Sequence, residues 1–165
     1  MDLSKATRQA EPTDPMDIHF FLRDKEHNYL KPVEIVREQI YAEWNGYDRP
    51  GYANSDTEPE LTMLPKGSIK FYLPAMPQGS ERTNQTLIIA YRDGNFIVAG
   101  FAYDSEDFQQ DNVASACDFN VLTGKGTSSK KQPDGTTKHR TVSVEGRTVA
   151  FRDWNPGAAF SACTQ

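Results

Sequence analysis

The sequence predicts an α+β fold, mostly an antiparallel β meander of five to seven strands, with one main amphipathic helix packed on it. Three observations carry the prediction. Asp93-Gly94 separates two apolar runs, the pattern of a tight hairpin. Short strand-like runs recur between clusters of Gly, Pro, Asn and Asp. One segment, residues 32–44, places apolar side chains at helical spacing. The chain has 165 residues, enough for one domain. Residues 1–17 read as a flexible leader and residues 18–165 as a single α+β domain.

Taken in order, Ile18, Phe20 and Leu22 alternate with His19, Phe21 and Arg23, which predicts a short strand. Pro32 suits a first helical position. Val33, Val36, Ile40 and Trp44 follow at spacings of three, four and four, with Gly46 placed to end the helix. Residues 45–60 form an acidic loop holding Tyr47 and Tyr52. Leu61–Leu64 and Ile69–Leu73 are strand candidates, and residues 74–85 a loop. Thr86–Tyr91 and Phe96–Tyr103 are the hairpin arms, joined by a type I′ turn in which Asp-Gly supplies positive φ at both central positions. Asp104–Asn112 is an acidic connector and Val113–Leu122 a strand. Thr123–Arg140 reads as a long polar segment turning at Pro133-Asp134-Gly135. Thr141–Val144 and Thr148–Trp154 complete the strands, with Pro156 and Gly157 as terminators.

The net charge of −5 argues against a general nucleic-acid binder, and no run of apolar residues is long enough for a membrane-spanning helix. The charge is uneven. Residues 1–60 hold 13 acidic and 7 basic side chains, whereas residues 118–165 hold 4 acidic and 7 basic. The basic excess gathers at Lys125, Lys130, Lys131, Lys138 and Arg140, a surface able to meet an acidic partner. It lacks the interleaved aromatics that single-stranded nucleic-acid binders stack on bases.

No reaction is declared by motif. His19, His27 and His139 are scattered, without metal-ligand spacing. There is no GxSxG elbow, and Gly124-Lys125 fails as a P-loop because Gly126 follows it and Phe119 stands at the upstream glycine position. Asp104, Glu106, Asp107 and Asp111 do not follow the EF-hand pattern, with Gln109 at the loop glycine. No metal or cofactor is therefore expected. Trp44 and Trp154 suit the core, while Tyr47 and Tyr52 suit an interface, where aromatics with a polar handle concentrate. Cys117 and Cys163 stand 46 positions apart, and spacing alone leaves open a disulfide or two unrelated thiols. Met1–Met16 has no apolar signal core, which fits either a cytoplasmic protein or a mature form whose leader has been removed.

Gly94–Phe101, followed by acids, and Cys117–Gly126, with its Asn120-x-Leu122-Thr123-Gly124-Lys125 run, together resemble uncharacterised bacterial secreted or lipoprotein-like proteins. The resemblance covers residues 86–126 and implies an exported β-rich domain, hence a periplasmic or secreted location and a Cys117–Cys163 disulfide. Physically, Asn120 suits a bend and Gly124 a strand end. The functional expectation is a non-enzymatic protein-binding module of the bacterial envelope. Its concrete form is an immunity or inhibitor protein that blocks a toxin or hydrolase through Tyr47, Tyr52, Lys125, Lys130, Lys131, Lys138 and Arg140. A small hydrolase or ligand-binding enzyme in which Asp104, Asp107 or Asp118 meets His19 or His139, and a structural subunit of an envelope complex, are the alternatives.

Overall fold

A computed structural model describes residues 15–40, 59–74, 81–107, 109 and 113–164. The chain divides into two compact units, Met1–Asn54 and Ser55–Gln165. Among the described residues there are nine strands, all antiparallel in their pairing, and one α-helix. The β-rich antiparallel class is therefore as the sequence predicts. No helix among the described residues is long and apolar enough to cross a membrane.

In the first unit, β1 (Met16–Arg23) pairs with β2 (Leu30–Ile40). The predicted strand at Ile18–Leu22 is present. The helix predicted over 32–44 is not: residues 32–40 belong to β2, and residues 41–44 lie outside the described residues. Val33, Ile35, Val36 and Ile40 are β-branched and fit a pleated surface, and Ile18 lies opposite Val36. The helical spacing was also compatible with an irregular strand. The register shifts between Met16 and Ile18, where Glu38 takes a φ of 55°, and again between Phe20 and Phe21. Asp17 closes the first irregularity by accepting the Glu38 N–H at 2.9 Å. Of the expected flexible leader, residues 1–14 lie outside the described residues, while Met16 and Asp17 are part of β1.

The second unit is a seven-stranded meander in sequential order: β3 (Glu60–Met63), β4 (Ile69–Leu73), β5 (Glu81–Arg92), β6 (Asn95–Asp107), β7 (Val113–Asn120), β8 (Lys125–Lys131) and β9 (Thr137–Ser143). The hairpin between β5 and β6 has the turn the sequence predicts, but its arms are longer: residues 81–85, expected in a loop, and 104–107, expected in a connector, are strand. Arg92 faces Asn95, with Asp93 at φ 50° and Gly94 at φ 80°. A bulge between Ile88 and Ile89 leaves Ala99 out of register, and its carbonyl accepts the Val121 N–H at 2.9 Å.

Three readings of the C-terminal third need correction. The polar segment 123–140 contains all of β8 and the start of β9. Residues 148–154 do not form a full strand: Ala150 makes one bridge with Ile97, and Phe151–Asp153 is a 3-10 turn. Pro156 and Gly157 do not terminate structure but open α1 (Pro156–Thr164). Asn155 accepts the Gly157 N–H at 2.8 Å, so it is the N-cap, and Pro156 fills the first helical position.

The register assigns side chains to faces. Leu87, Phe101 and Phe119 lie on one row, and Tyr103 lies opposite Cys117 on the next. α1 covers this face. Ala159, Ala162 and Cys163 are buried, and Phe160 meets Phe101 at 5.3 Å and Tyr103 at 4.9 Å between ring centroids. The Cys117–Cys163 disulfide then ties the helix to β7, with a Cα–Cα distance of 5.9 Å. The Asn120–Lys125 run forms the β7–β8 turn. Asn120 accepts the Thr123 N–H through its side chain and the Gly124 N–H through its carbonyl, at 2.9 and 2.8 Å.

Candidate functional site

The helix-covered face continues past the C-terminal end of α1 as a groove of about 620 Å³. Its position follows from register. In one row across the sheet, Ser105 lies opposite Ser115, Ser115 opposite Lys130, and Lys130 opposite Lys138. In the next row, Tyr103 lies opposite Cys117, Cys117 opposite Ser128, and Ser128 opposite Arg140. Residues paired in this way project to the same face. The groove thus has hydroxyls along its floor and three cations at the β8–β9 end, with Asp107 also on its wall.

Arg140 donates to the Thr164 carbonyl at 3.1 Å, placing a cation at the C-terminal end of α1, where the helix dipole favours it. One end of its guanidinium is thereby fixed, and further N–H donors remain. Ser105 is 5% exposed and accepts a hydrogen bond from Thr83 at 2.9 Å. Ser128 is only 9% exposed, and among the described residues its hydroxyl has no hydrogen-bond partner. Lys130 and Lys138 are exposed and directly opposed, and among the described residues neither has a carboxylate within ion-pair range. Like charges facing each other across a strand pair are destabilising by themselves.

Of the interface residues predicted from sequence, Lys130, Lys138 and Arg140 are brought together here. Lys125 and Lys131 are not: strand alternation sends them to the opposite face. Tyr47 and Tyr52, with Trp44, lie outside the described residues. Trp154 packs against Phe101 at 5.7 Å between ring centroids, half-buried at the edge of the core. Ser105, Ser115 and Ser128 were not singled out from sequence. Their signal is only positional, since small hydroxyl residues on the inward parity show once strands β6 to β8 are assigned.

The opposite face holds a shallower hollow of about 460 Å³, lined by Thr86, Asp104, Asp118, Thr127, Ser129 and His139. Asp104, Asp118 and His139 thus share one face, whereas Asp107 lines the groove on the other. Asp104 accepts from the Asn84 side chain at 2.7 Å, and Ser129 lies opposite His139. Among the described residues no hydrogen bond joins His139 to either aspartate. No set of three or more His, Cys, Asp or Glu side chains among the described residues is arranged to hold a metal ion. In the first unit, Asp24 organises the β1–β2 turn by accepting the N–H groups of Glu26 and His27, both at 2.9 Å. Those hydrogen bonds, chiefly the one from His27, hold its carboxyl below the usual aspartate range. Compared with known protein families, curated proteins and solved structures, the chain matches none.

Proposed function

We propose that this chain is a non-enzymatic protein-binding module of the bacterial envelope, acting as an immunity or inhibitor protein. Its docking surface is the basic end of the β8–β9 sheet. The observation that carries the reading is the Lys130–Lys138 pair, two exposed lysines at directly opposed positions of β8 and β9, neither with a counter-ion among the described residues. An acidic partner surface would relieve that repulsion on docking and be steered toward it at long range. The Cys117–Cys163 disulfide supports an oxidising, extracytoplasmic location, as does the resemblance of residues 86–126 to exported proteins.

The test has two stages. Capture from the envelope fraction of the source cells at low salt should return one stoichiometric protein, whose identity separates an inhibitor's target from an envelope machine. Stopped-flow association of the purified pair should then slow by at least about tenfold when Lys130 and Lys138 are both changed to Glu. An on-rate indifferent to both the substitutions and ionic strength would refute the docking surface.

A second reading, a small hydrolase, is favoured by one observation: Asp104, Asp118 and His139 face the same hollow. It predicts that a turnover found in an ester, amide or glycoside screen disappears in His139→Ala. An activity that survives that change would refute the site.

A further inference from the structure

We propose that the β8–β9 end of the groove is a binding subsite for a phosphate group, held by Lys130, Lys138, Arg140 and the Ser128 hydroxyl. The proposal deepens the protein-binding reading by naming the chemical group recognised there, and it rests on that reading only for the choice of surface.

Lys130 and Lys138 project to the same side from directly opposed positions, and Arg140 follows Lys138 by two residues on the same face. Cross-strand and diagonal neighbours of this kind have Cβ atoms roughly 5–8 Å apart, so flexible lysine stems can converge on one small ion. Arg140 is already oriented by its bond to the Thr164 carbonyl, which limits the ordering cost of using its remaining donors.

Ser128 supplies an independent observation. Its side chain lines the groove, is 9% exposed, and has no partner among the described residues. A buried hydroxyl without a partner is costly, and an oxyanion seated between it and the cations would accept its hydrogen bond. Charge selects the kind of oxyanion. Among the described residues the groove is lined by three cations and one carboxylate, Asp107, an excess of two positive charges. A phosphate monoester carries roughly −1.5 to −2 at pH 7 and presents three acceptor oxygens, whereas a single carboxylate leaves the excess unneutralised. The groove, at about 620 Å³, leaves room beyond the cations for what the phosphate is attached to, against the hydroxyl row of Ser115 and Ser105.

The experiment is a titration of the full-length, oxidised protein followed by amide chemical shifts. Inorganic phosphate, O-phosphoserine and acetate are compared at matched ionic strength. Saturable shifts at Ser128, Lys130 and Lys138 are expected with phosphate or phosphoserine, with a Kd on the order of 1 mM or tighter. Tighter binding of phosphoserine assigns an ester as the physiological form, and tighter binding of phosphate assigns the free ion. Lys130→Ala and Ser128→Ala should each weaken binding, the former by at least about tenfold. Lys125→Ala, on the same strand but the other face, should leave it unchanged.

Absence of saturable shifts overturns the proposal. So does acetate binding as tightly as phosphate, or an equal loss in Lys125→Ala, which would reduce the effect to overall charge. The titration needs no protein partner, so its failure removes the phosphate subsite without touching the capture and association tests of the binding reading.

Discussion

Changing both Cys117 and Cys163 to Ala should cost this protein much of its stability. The disulfide closes a loop with a sequence separation of 46, spanning β8, β9 and α1. Restricting an unfolded chain over such a loop is worth about 4 kcal/mol at 25 °C in the chain-entropy account. Both half-cystines are buried, at 3% and 4% exposure, so truncation also removes packed sulfur and adds to the loss. Domains of this size have only about 5–15 kcal/mol in total. The helix has little else to hold it. It is nine residues long, too short to persist alone, and its remaining anchors are the small buried Ala159 and Ala162, Phe160 on Phe101 and Tyr103, and the Arg140 bond to Thr164. The assay is urea unfolding of the oxidised protein and the double variant, with hydrogen exchange to locate the loss. The unfolding free energy should fall by about 4 kcal/mol, and the m-value should rise because the uncrosslinked chain exposes more surface. Amides of residues 157–164 should lose protection first. A fall under about 1 kcal/mol, or an unchanged m-value, would refute this reasoning.

Two glycines that look alike in sequence should behave differently. A Cβ at Gly126 would run into Phe119 and the Asp118 carbonyl on β7, so Gly126→Ala should destabilise by more than about 2 kcal/mol, whereas Gly94→Ala meets no atom within 4 Å and should cost only about 1 kcal/mol for its φ of 80°. Thermal unfolding of the two variants checks the order. Asp134 accepts from the Thr136 hydroxyl and N–H, at 2.6 and 2.9 Å, and these bonds lower its pKa from the ordinary 3.8. A depressed native pKa contributes stability that is present above 3.8 and lost as pH falls through the native value, so Asp134→Asn should flatten the acid limb of stability against pH. A carboxyl titration by NMR with an Asp134 midpoint at or above 3.8 would contradict this. Lys138→Glu should convert a repulsive cross-strand pair into an attractive one, raising stability by roughly 0.5 kcal/mol while removing phosphate binding, and denaturant midpoints alongside the amide titration read both effects.

What the sequence made legible was what local chemistry decides. Asp93-Gly94 must adopt positive φ in almost any context, so the β5–β6 hairpin was readable from four residues. β2 was not, because Val33, Val36 and Ile40 satisfy helical spacing while β branching and pairing with Ile18 favour a strand, and pairing is a tertiary fact. β8 carries no apolar signal at all. Its inward positions are Gly126 and Ser128, small because Phe119 and the disulfide occupy the space opposite them. α1 was hidden for a related reason: its buried face consists of Ala159, Ala162 and Cys163, too slight to show amphipathicity, and it is kept in place by a covalent bond. At the candidate site the excess of cations was legible, but its division was not. Lys130 and Lys131 are neighbours in sequence and occupy opposite faces of the sheet, a separation that exists only once β8 is known to be a strand.

That division bears on what a basic surface can do. Five cations on a mobile loop would attract any anion weakly, because each contact would first have to order its own chain segment. On β8 and β9 the backbone is already fixed by hydrogen bonds, and the disulfide and the Arg140–Thr164 bond fix the helix end beside it. Lys130 and Lys138 therefore meet the proposed anion from backbone positions that folding has already set. The selectivity of such a surface follows from the number of charges that reach one point on one face rather than from the net charge of the protein, which is negative.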